Sequence, residues 1–370
     1  PIILFVILMI LLYVPPVQNF IRKQATAIAS DATGMNISVE RIDLRFPLNL
    51  LVRGVQVVQS ENDAVDVQHP DTLLNLGSLN VRVQAWPLLQ GRVEVDDITL
   101  QQVAVNSSTL LEGMHIKGTL GRFFLESHGI DLKKENAVLN SVELSNTHVQ
   151  VILADTAEAP KDTVETALNW RIALHSLKLK NVSVDLQMPL DSMTLAANIG
   201  DASIEDANAD LKRQFYGWRK FALTGTAVNY DSGTAALVEG FDASHIALRD
   251  IRIGIDSVMS CGRDMNVVIR EFSMYDRSGL TVTSLTGRLF ADSTLIRVPH
   301  LQLTTPHSEM NLTAQTYWKL VDIPTTGRLS ARFNANIGKQ DVLLFAGGLP
   351  ETFKEAYPFR PLVIHAGTEG

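Results

Sequence analysis

The sequence predicts a mainly β fold: an N-terminal apolar helix, then an elongated antiparallel sheet of bulged strands, with few short helices. Three observations predict it. In RVEVDDITLQQVAVNS, Arg92 to Ser107, the apolar positions Val93, Val95, Ile98, Leu100, Val103 and Val105 step by 2, 3, 2, 3, 2, where a plain strand steps by 2 throughout. The same rhythm returns along the chain. Between the apolar positions the residues are polar, so each run offers one apolar and one wet face.

The first residues, PIILFVILMILLYV, carry no charge. Ile2, Ile3, Leu4, Phe5, Val6, Ile7, Leu8, Ile10, Leu11 and Leu12 make them a membrane-anchor candidate over residues 1–16. Fourteen apolar residues fall short of the roughly 20 that span a bilayer, so this reading takes the sequence as a piece of a longer chain. A cleaved signal peptide and a buried core helix are the alternatives. No small-x-small cleavage site follows, and Pro15-Pro16 ends the segment. Residues 17–34 read as a helix, with Val17, Phe20, Ile21 and Ile28 near one face and Gly34 placed to end it.

From Met35 to about residue 337 the pattern is strand after strand. Ile37, Val39, Ile42 and Leu44 open it; Ala137, Leu139, Val142, Leu144, Thr147, Val149 and Val151 repeat it. Ile172, Leu174, Leu177, Leu179, Val182, Val184 and Leu186 follow, then Phe241, Ala243, Ile246, Leu248, Ile251 and Ile253. Ile296, Val298, Leu301 and Leu303 form a weaker copy. Such recurrence is an imperfect internal repeat, the mark of an array. Helices are excluded, because steps of 2 and 3 scatter around a helical circumference. A bulge in each strand, with two residues opposing one on the neighbour, accounts for the steps and bends the strand; Asp96-Asp97 and Gln101-Gln102 occupy the gaps in the first run. The polar face carries Arg41, Asp43, Arg45, Lys178, Lys180, Arg249 and Arg252 and reads as solvated. The apolar face needs a cover: a second sheet, closure into a barrel, or a groove holding an apolar ligand.

Ala154 to Leu168 reads as a polar loop. DLKRQFYGWRK, Asp210 to Lys220, is a basic-aromatic cluster, read as a long hairpin tip or a short helix. Residues 338–370 read as an amphipathic segment, helical at Asp341 to Phe345 and Pro350 to Tyr357 around the Gly347-Gly348 break, followed by the start of another strand. It suits a plug or rim for a groove, or a simple cap.

Chemistry leaves little trace. The formal net charge of -8 opposes sequence-independent binding of nucleic acid. A single cysteine, Cys261, excludes an internal disulfide and polycysteine metal sites. Nine histidines form no HExxH, and no GxSxG, Walker A or dinucleotide glycine motif occurs. No catalytic residue, metal site or cofactor is expected, and the chain reads as a non-enzyme.

The order of features resembles the N-terminal part of the AsmA-like superfamily, in particular its TamB branch. The resemblance rests on the apolar anchor, a helix running into ATGMNISVERIDLRF, then LLVRGVQVVQ, then LNVRVQAWPLLQGRVEVDDITLQQVAV with its Trp86 to Gly91 link. It is strongest from Pro1 to about Asn106. The resemblance implies an inner-membrane, single-pass protein with its bulk in the periplasm, residues 17–34 being a periplasmic helix and 35–337 a curved repeating β-groove, or β-taco. It implies phospholipid as cargo, moved toward the outer membrane, and an outer-membrane barrel of the TamA type as partner. Under this reading the groove is lined by Val93, Val95, Ile98, Leu100, Val103, Val105, Val142, Leu144, Leu174, Leu177, Leu179, Val182, Val184, Ile246, Leu248, Ile251 and Ile253. The alternative it implies is a scaffold that helps outer-membrane proteins insert.

Overall fold

The computed structural model describes residues 35–45, 48–59, 72–84, 95–107, 114–131, 134–153, 169–234, 236–322, 328–346, 350–356 and 360–369, with isolated positions between 19 and 30. The anchor candidate, Val93 and the polar segment 154–168 lie outside the described residues. The described positions Asn19, Lys23, Gln24, Thr26, Ala27 and Ser30 are helical. Among the described residues no helix is long and apolar enough to cross a membrane.

The fold is mainly β, with 17 strands and a few short helices among the described residues. The chain divides into two compact units, Pro1–Thr163 with Lys180–Gln187, and Val164–Leu179 with Met188–Gly370. The first unit holds β1 (Asn36–Arg45), β2 (Asn49–Val58), β3 (Thr72–Val83), β4 (Val95–Asn106), β5 (Met114–Asp131), β6 (Asn136–Leu153) and the later part of β7 (Arg171–Met188). From β1 to β6 each strand pairs antiparallel with the next.

The second unit holds the start of β7, then β8 (Met193–Asp210), β9 (Phe215–Ser232), β10 (His245–Cys261), β11 (Asp264–Asp276), the two-residue β12 (Thr281–Val282) and β13 (Ser284–Ala291). After these come β14 (Leu295–Thr304), β15 (Glu309–Tyr317), helix α1 (Trp318–Asp322), β16 (Leu329–Ile337), helix α2 (Lys339–Leu344), helix α3 (Glu351–Ala356) and β17 (Leu362–Glu369). The pairing is again a meander, β8 to β11, then β13 to β17, with β12 on β11.

The hairpins follow from local chemistry. Asp210 Oδ1 accepts the Arg213 N–H at 3.1 Å and Gln214 takes φ 51°, closing β8 onto β9. The basic-aromatic cluster is therefore a hairpin, with Phe215 to Lys220 already in the strand. Gly262 at φ 59° turns β10 into β11.

Helix α2 is tied to loops at one end of the strands of the second unit. The Phe241 N–H donates to the Leu344 carbonyl at 2.7 Å, and the Phe241 and Phe345 rings lie 5.3 Å apart. The buried Asp341 carboxylate accepts hydrogen bonds from the hydroxyls of Thr305 and Ser308. The segment 338–346 is a cap held by these loops.

Within each unit an element contacts its hydrogen-bonded neighbours and little else. Among the described residues no large side chain is fully buried. Within each unit the apolar side chains of the strands are mostly half-buried.

Candidate functional site

Register turns the sequence rhythm into rows. In the first unit Ile42 faces Val52, Val52 faces Leu79, Leu79 faces Leu100, Leu100 faces Phe123 and Phe123 faces Leu144. A parallel row joins Leu44, Leu50, Val81, Ile98, Leu125 and Val142. A third joins Val39, Val55, Leu76, Val103 and Leu120, ending at the buried Thr147. Directly opposed residues share a face, so the first two rows are apolar tracks across six strands, about 24 Å at the usual strand spacing, and the third is apolar across five.

Every one of these strands makes its three-residue step at the same level, and the structure shows how. Two consecutive residues turn to the polar face: Glu40-Arg41, Arg53-Gly54, Gly77-Ser78, Gln101-Gln102, Gly121-Arg122 and Ser145-Asn146. Gly54, Gln102 and Asn146 are left-handed there, with φ of 59°, 56° and 51°. Between them stand Gly77 and Gly121. A Cβ on Gly77 would lie 2.9 Å from the Gln102 Cβ, and one on Gly121 would lie 2.8 Å from the Asn146 Cβ. The left-handed residue pushes its Cβ toward the neighbouring strand, and only glycine leaves room. The line continues into β7, where Asn181 at φ 52° donates from its amide to Asn146 Oδ1 at 3.1 Å.

This corrects one expectation and supports its twin. At Asp96 there is a bulge: Arg82 faces Asp97 and Val83 faces Val95, so Asp96 has no partner of its own. At Gln101-Gln102 there is none. Ser78 faces Gln101 and Leu76 faces Val103, so Gly77 meets Gln102 one for one. The positive φ redirects the side chain without inserting a residue, and because the neighbours slip together the ladder keeps its register.

The second unit also builds rows, but its register shifts around Asp250 and Ser257 and between Val298 and Leu301, so its steps there are bulges, as the spacing predicts. Ile204, Phe221, Ile255, Ile269, Gly287, Leu301, Leu312, Phe333 and Ala366 form one row from β8 to β17. Asp206, Asp250 and Ser257 are left-handed, as is Gly225. Around Asp206 the polar face is a ladder of charges. Arg219 donates to Glu205 and Asp206, and His175 Nδ1 lies 2.6 Å from Asp206 Oδ1. The Arg219 guanidinium, then His175, hold the Asp206 carboxyl below its ordinary value.

The predicted lining residues take these places. Ile98, Leu100, Val103, Val142 and Leu144 sit half-buried in the first unit's rows, and Val105 lies beside Leu74 and Gly118, 38% exposed. Val95 is half-buried opposite Val83. Val182 is buried and Val184 exposed in the part of β7 that belongs to the first unit. Leu174, Leu177 and Leu179 are half-buried in the part that belongs to the second. Ile246, Leu248 and Ile253 face Tyr230, Val228 and Leu223, while Ile251 is buried opposite Thr226. Phe241 and Ala243, read as part of that run, precede β10.

Sequence reasoning missed the glycines. Gly77 and Gly121 fall at the three-residue step of β3 and β5, and Asn146 at that of β6; that coincidence was the available signal. It also missed a cavity of about 520 Å³ at the ends of β14 and β15, and one of about 570 Å³ between Arg297 and Arg332. Neither is lined by a predicted residue. Among the described residues no group of three or more metal-ligating side chains occurs.

The fold and rows define a class: an antiparallel β protein with apolar rows crossing the strands of each unit. No protein-family profile matches the chain, and no curated protein matches it.

Proposed function

We propose that this chain carries phospholipid acyl chains along its apolar face, as an inner-membrane-anchored, periplasmic member of the AsmA-like superfamily of the TamB kind, with the sheet curved into a groove. The observation that supports it is the set of apolar rows running across consecutive strands with their side chains half-exposed. An acyl chain needs a continuous dry track, and a single layer of strands offers one. Moving a lipid between bilayers changes apolar burial little, so the reading requires no catalytic residue.

Photo-crosslinking tests it. A photoreactive residue placed at Leu100, on the apolar row, is expected to capture phospholipid in cells. The same residue at Gln101, on the polar face, is expected to capture little. Equal capture at the two positions refutes the reading.

A second reading, a scaffold on which client strands of outer-membrane proteins assemble beside a TamA-type barrel, is favoured by β17. Its Leu362 and Val363 are 44% and 60% exposed.

A further inference from the structure

In the second unit the most exposed apolar side chains are sorted by strand end. Met193 faces Ser232, His245 faces Asp231 and Leu248 faces Asp276. Thr304 faces Glu309, Glu309 faces Asn336 and Ile337 faces Leu362. The turn before β8, the loops before β10 and β15, and the segment between β16 and β17 therefore lie at one end. Leu190, Leu237, Val238, Phe345 and Val363 stand there, each 57 to 63% exposed, and no other large apolar side chain among the described residues is as exposed. The next, Val321 at 55%, stands at the other end.

The loop carrying Leu237 and Val238 is firmly built. The Asp242 carboxylate accepts the N–H groups of Val238 and Ser244 at 3.1 and 3.0 Å, and His245 Nδ1 lies 2.9 Å from it. The Gly233 N–H donates to the Ser192 carbonyl at 2.9 Å, which ties this loop to the turn carrying Leu190. Gly240, at φ 87°, lies so close to helix α2 that a Cβ there would meet the Leu344 carbonyl oxygen. With the Phe241–Phe345 ring contact, these bonds fix the backbone while its apolar side chains stay in water, where burial would be favourable.

The arrangement of the tips selects what covers them. They are strung along the strand ends from β8 to β17, about 40 Å at the usual strand spacing. A side chain of this size offers at most about 250 Å², so the tips make small separate areas, whereas a stable protein interface takes a compact patch of about 800 Å² from each partner. A bilayer needs no such patch, because its fluid interface admits apolar side chains at any spacing. Of the residues next to the tips in sequence, Asp191 and Glu239 are exposed carboxylates and none is a cation. That opposes an anionic lipid surface and favours a zwitterionic one.

We infer that this end of the second unit docks on a zwitterionic lipid bilayer, with Leu237, Val238 and Phe345 entering the interface. The inference stands apart from the lipid-carrying face, since the rows cross the sheet and the tips lie at the strand ends.

The test uses the whole chain with phosphatidylcholine vesicles that contain doxyl-labelled lipid. The one cysteine is removed by Cys261→Ser. A fluorophore is then attached at Leu237→Cys or Phe345→Cys, with Val321→Cys as the control at the other end. Reading at single residues keeps the apolar residues 1–16 from supplying the signal. Emission at 237 and 345 is expected to fall about twofold or more, and emission at 321 to stay level. Leu190→Ser/Val238→Ser, checked by circular dichroism, is expected to weaken the quenching at 345 about twofold. Quenching at 237 and 345 no stronger than at 321 overturns the docking end. Labels shielded from iodide only as protein concentration rises, without doxyl quenching, show a second copy there and overturn the bilayer assignment. Stronger quenching in phosphatidylglycerol vesicles overturns the choice of a zwitterionic surface. Lipid capture at Leu100 reads the carrying face separately.

Discussion

Gly121 carries the sharpest prediction, because its partner atoms are backbone. A Cβ there would lie 2.8 Å from the Asn146 Cβ, 2.9 Å from the Asn146 carbonyl oxygen and 3.0 Å from that of Ser145. Neither carbonyl can swing aside, since both belong to the β5–β6 pairing. Gly121→Ala must part the two strands locally. Overpacking of this kind costs about 1–3 kcal/mol, and the lower chain entropy of alanine in the unfolded state returns about 0.4–1 kcal/mol. The net loss is about 1–2 kcal/mol, which for a body of about 150–250 residues lowers Tm by roughly 3–6 °C. The assay is thermal unfolding followed by far-UV circular dichroism. Gly254→Ala is the control: its nearest atom would be Glu271 Cβ at 3.5 Å, and its Tm is expected to stay level or rise slightly. In Gly121→Ala/Asn146→Gly the shortest contact is gone, so part of the loss is expected to return. If Gly121→Ala melts with Gly254→Ala, the close approach of left-handed residue and glycine does not exist.

Gln102 at φ 56° is expected to accept asparagine without loss, whereas Gln102→Val should lower stability by about 1 kcal/mol or more, read in the same melts. Asp341→Ala leaves the Thr305 and Ser308 hydroxyls without their acceptor; a cost of about 1–3 kcal/mol is expected, read as faster hydrogen exchange confined to residues 305–308 and 338–346. Arg219→Gln removes the main cause of the depressed Asp206 carboxyl, so its midpoint should rise toward the ordinary value in a ¹³C titration. The sign follows from the depressed value: the ladder's contribution is present above the unfolded carboxyl's pKa and is lost only as pH falls through the lower folded one. Midpoints that coincide in the native and variant chains would show that the ladder does not form in solution.

Much of the strand region was legible. The steps of 2 and 3 assigned Ile98, Leu100, Val103, Val142 and Leu144 to one face, and the register sets them opposite one another or in adjoining rows. The bulge at Asp96 was legible for the same reason. The expectation at Gln101-Gln102 failed because two devices give the same spacing. An inserted residue and a left-handed residue both delay the return to the apolar face by one position; they differ only in what the neighbouring strand does. Helix α1 was not foreseen, being five residues long and lacking an apolar period. The cavity beside it joins Arg263 to Trp318 and Arg328, residues brought together by strand order rather than by spacing.

The sequence by itself determined which side chains share a face, because side-chain direction along a strand depends only on the local backbone and repeats at short range. Only the tertiary structure decided that neighbouring strands slip at one common level, since that requires Gly77 to lie against Gln102 and Gly121 against Asn146, strands apart. It likewise decided that short apolar runs join into rows. A row is a property of register, and register is set by hydrogen bonds between segments far apart in sequence, of which the matched steps at Gly77, Gln102, Gly121 and Asn146 are the visible trace.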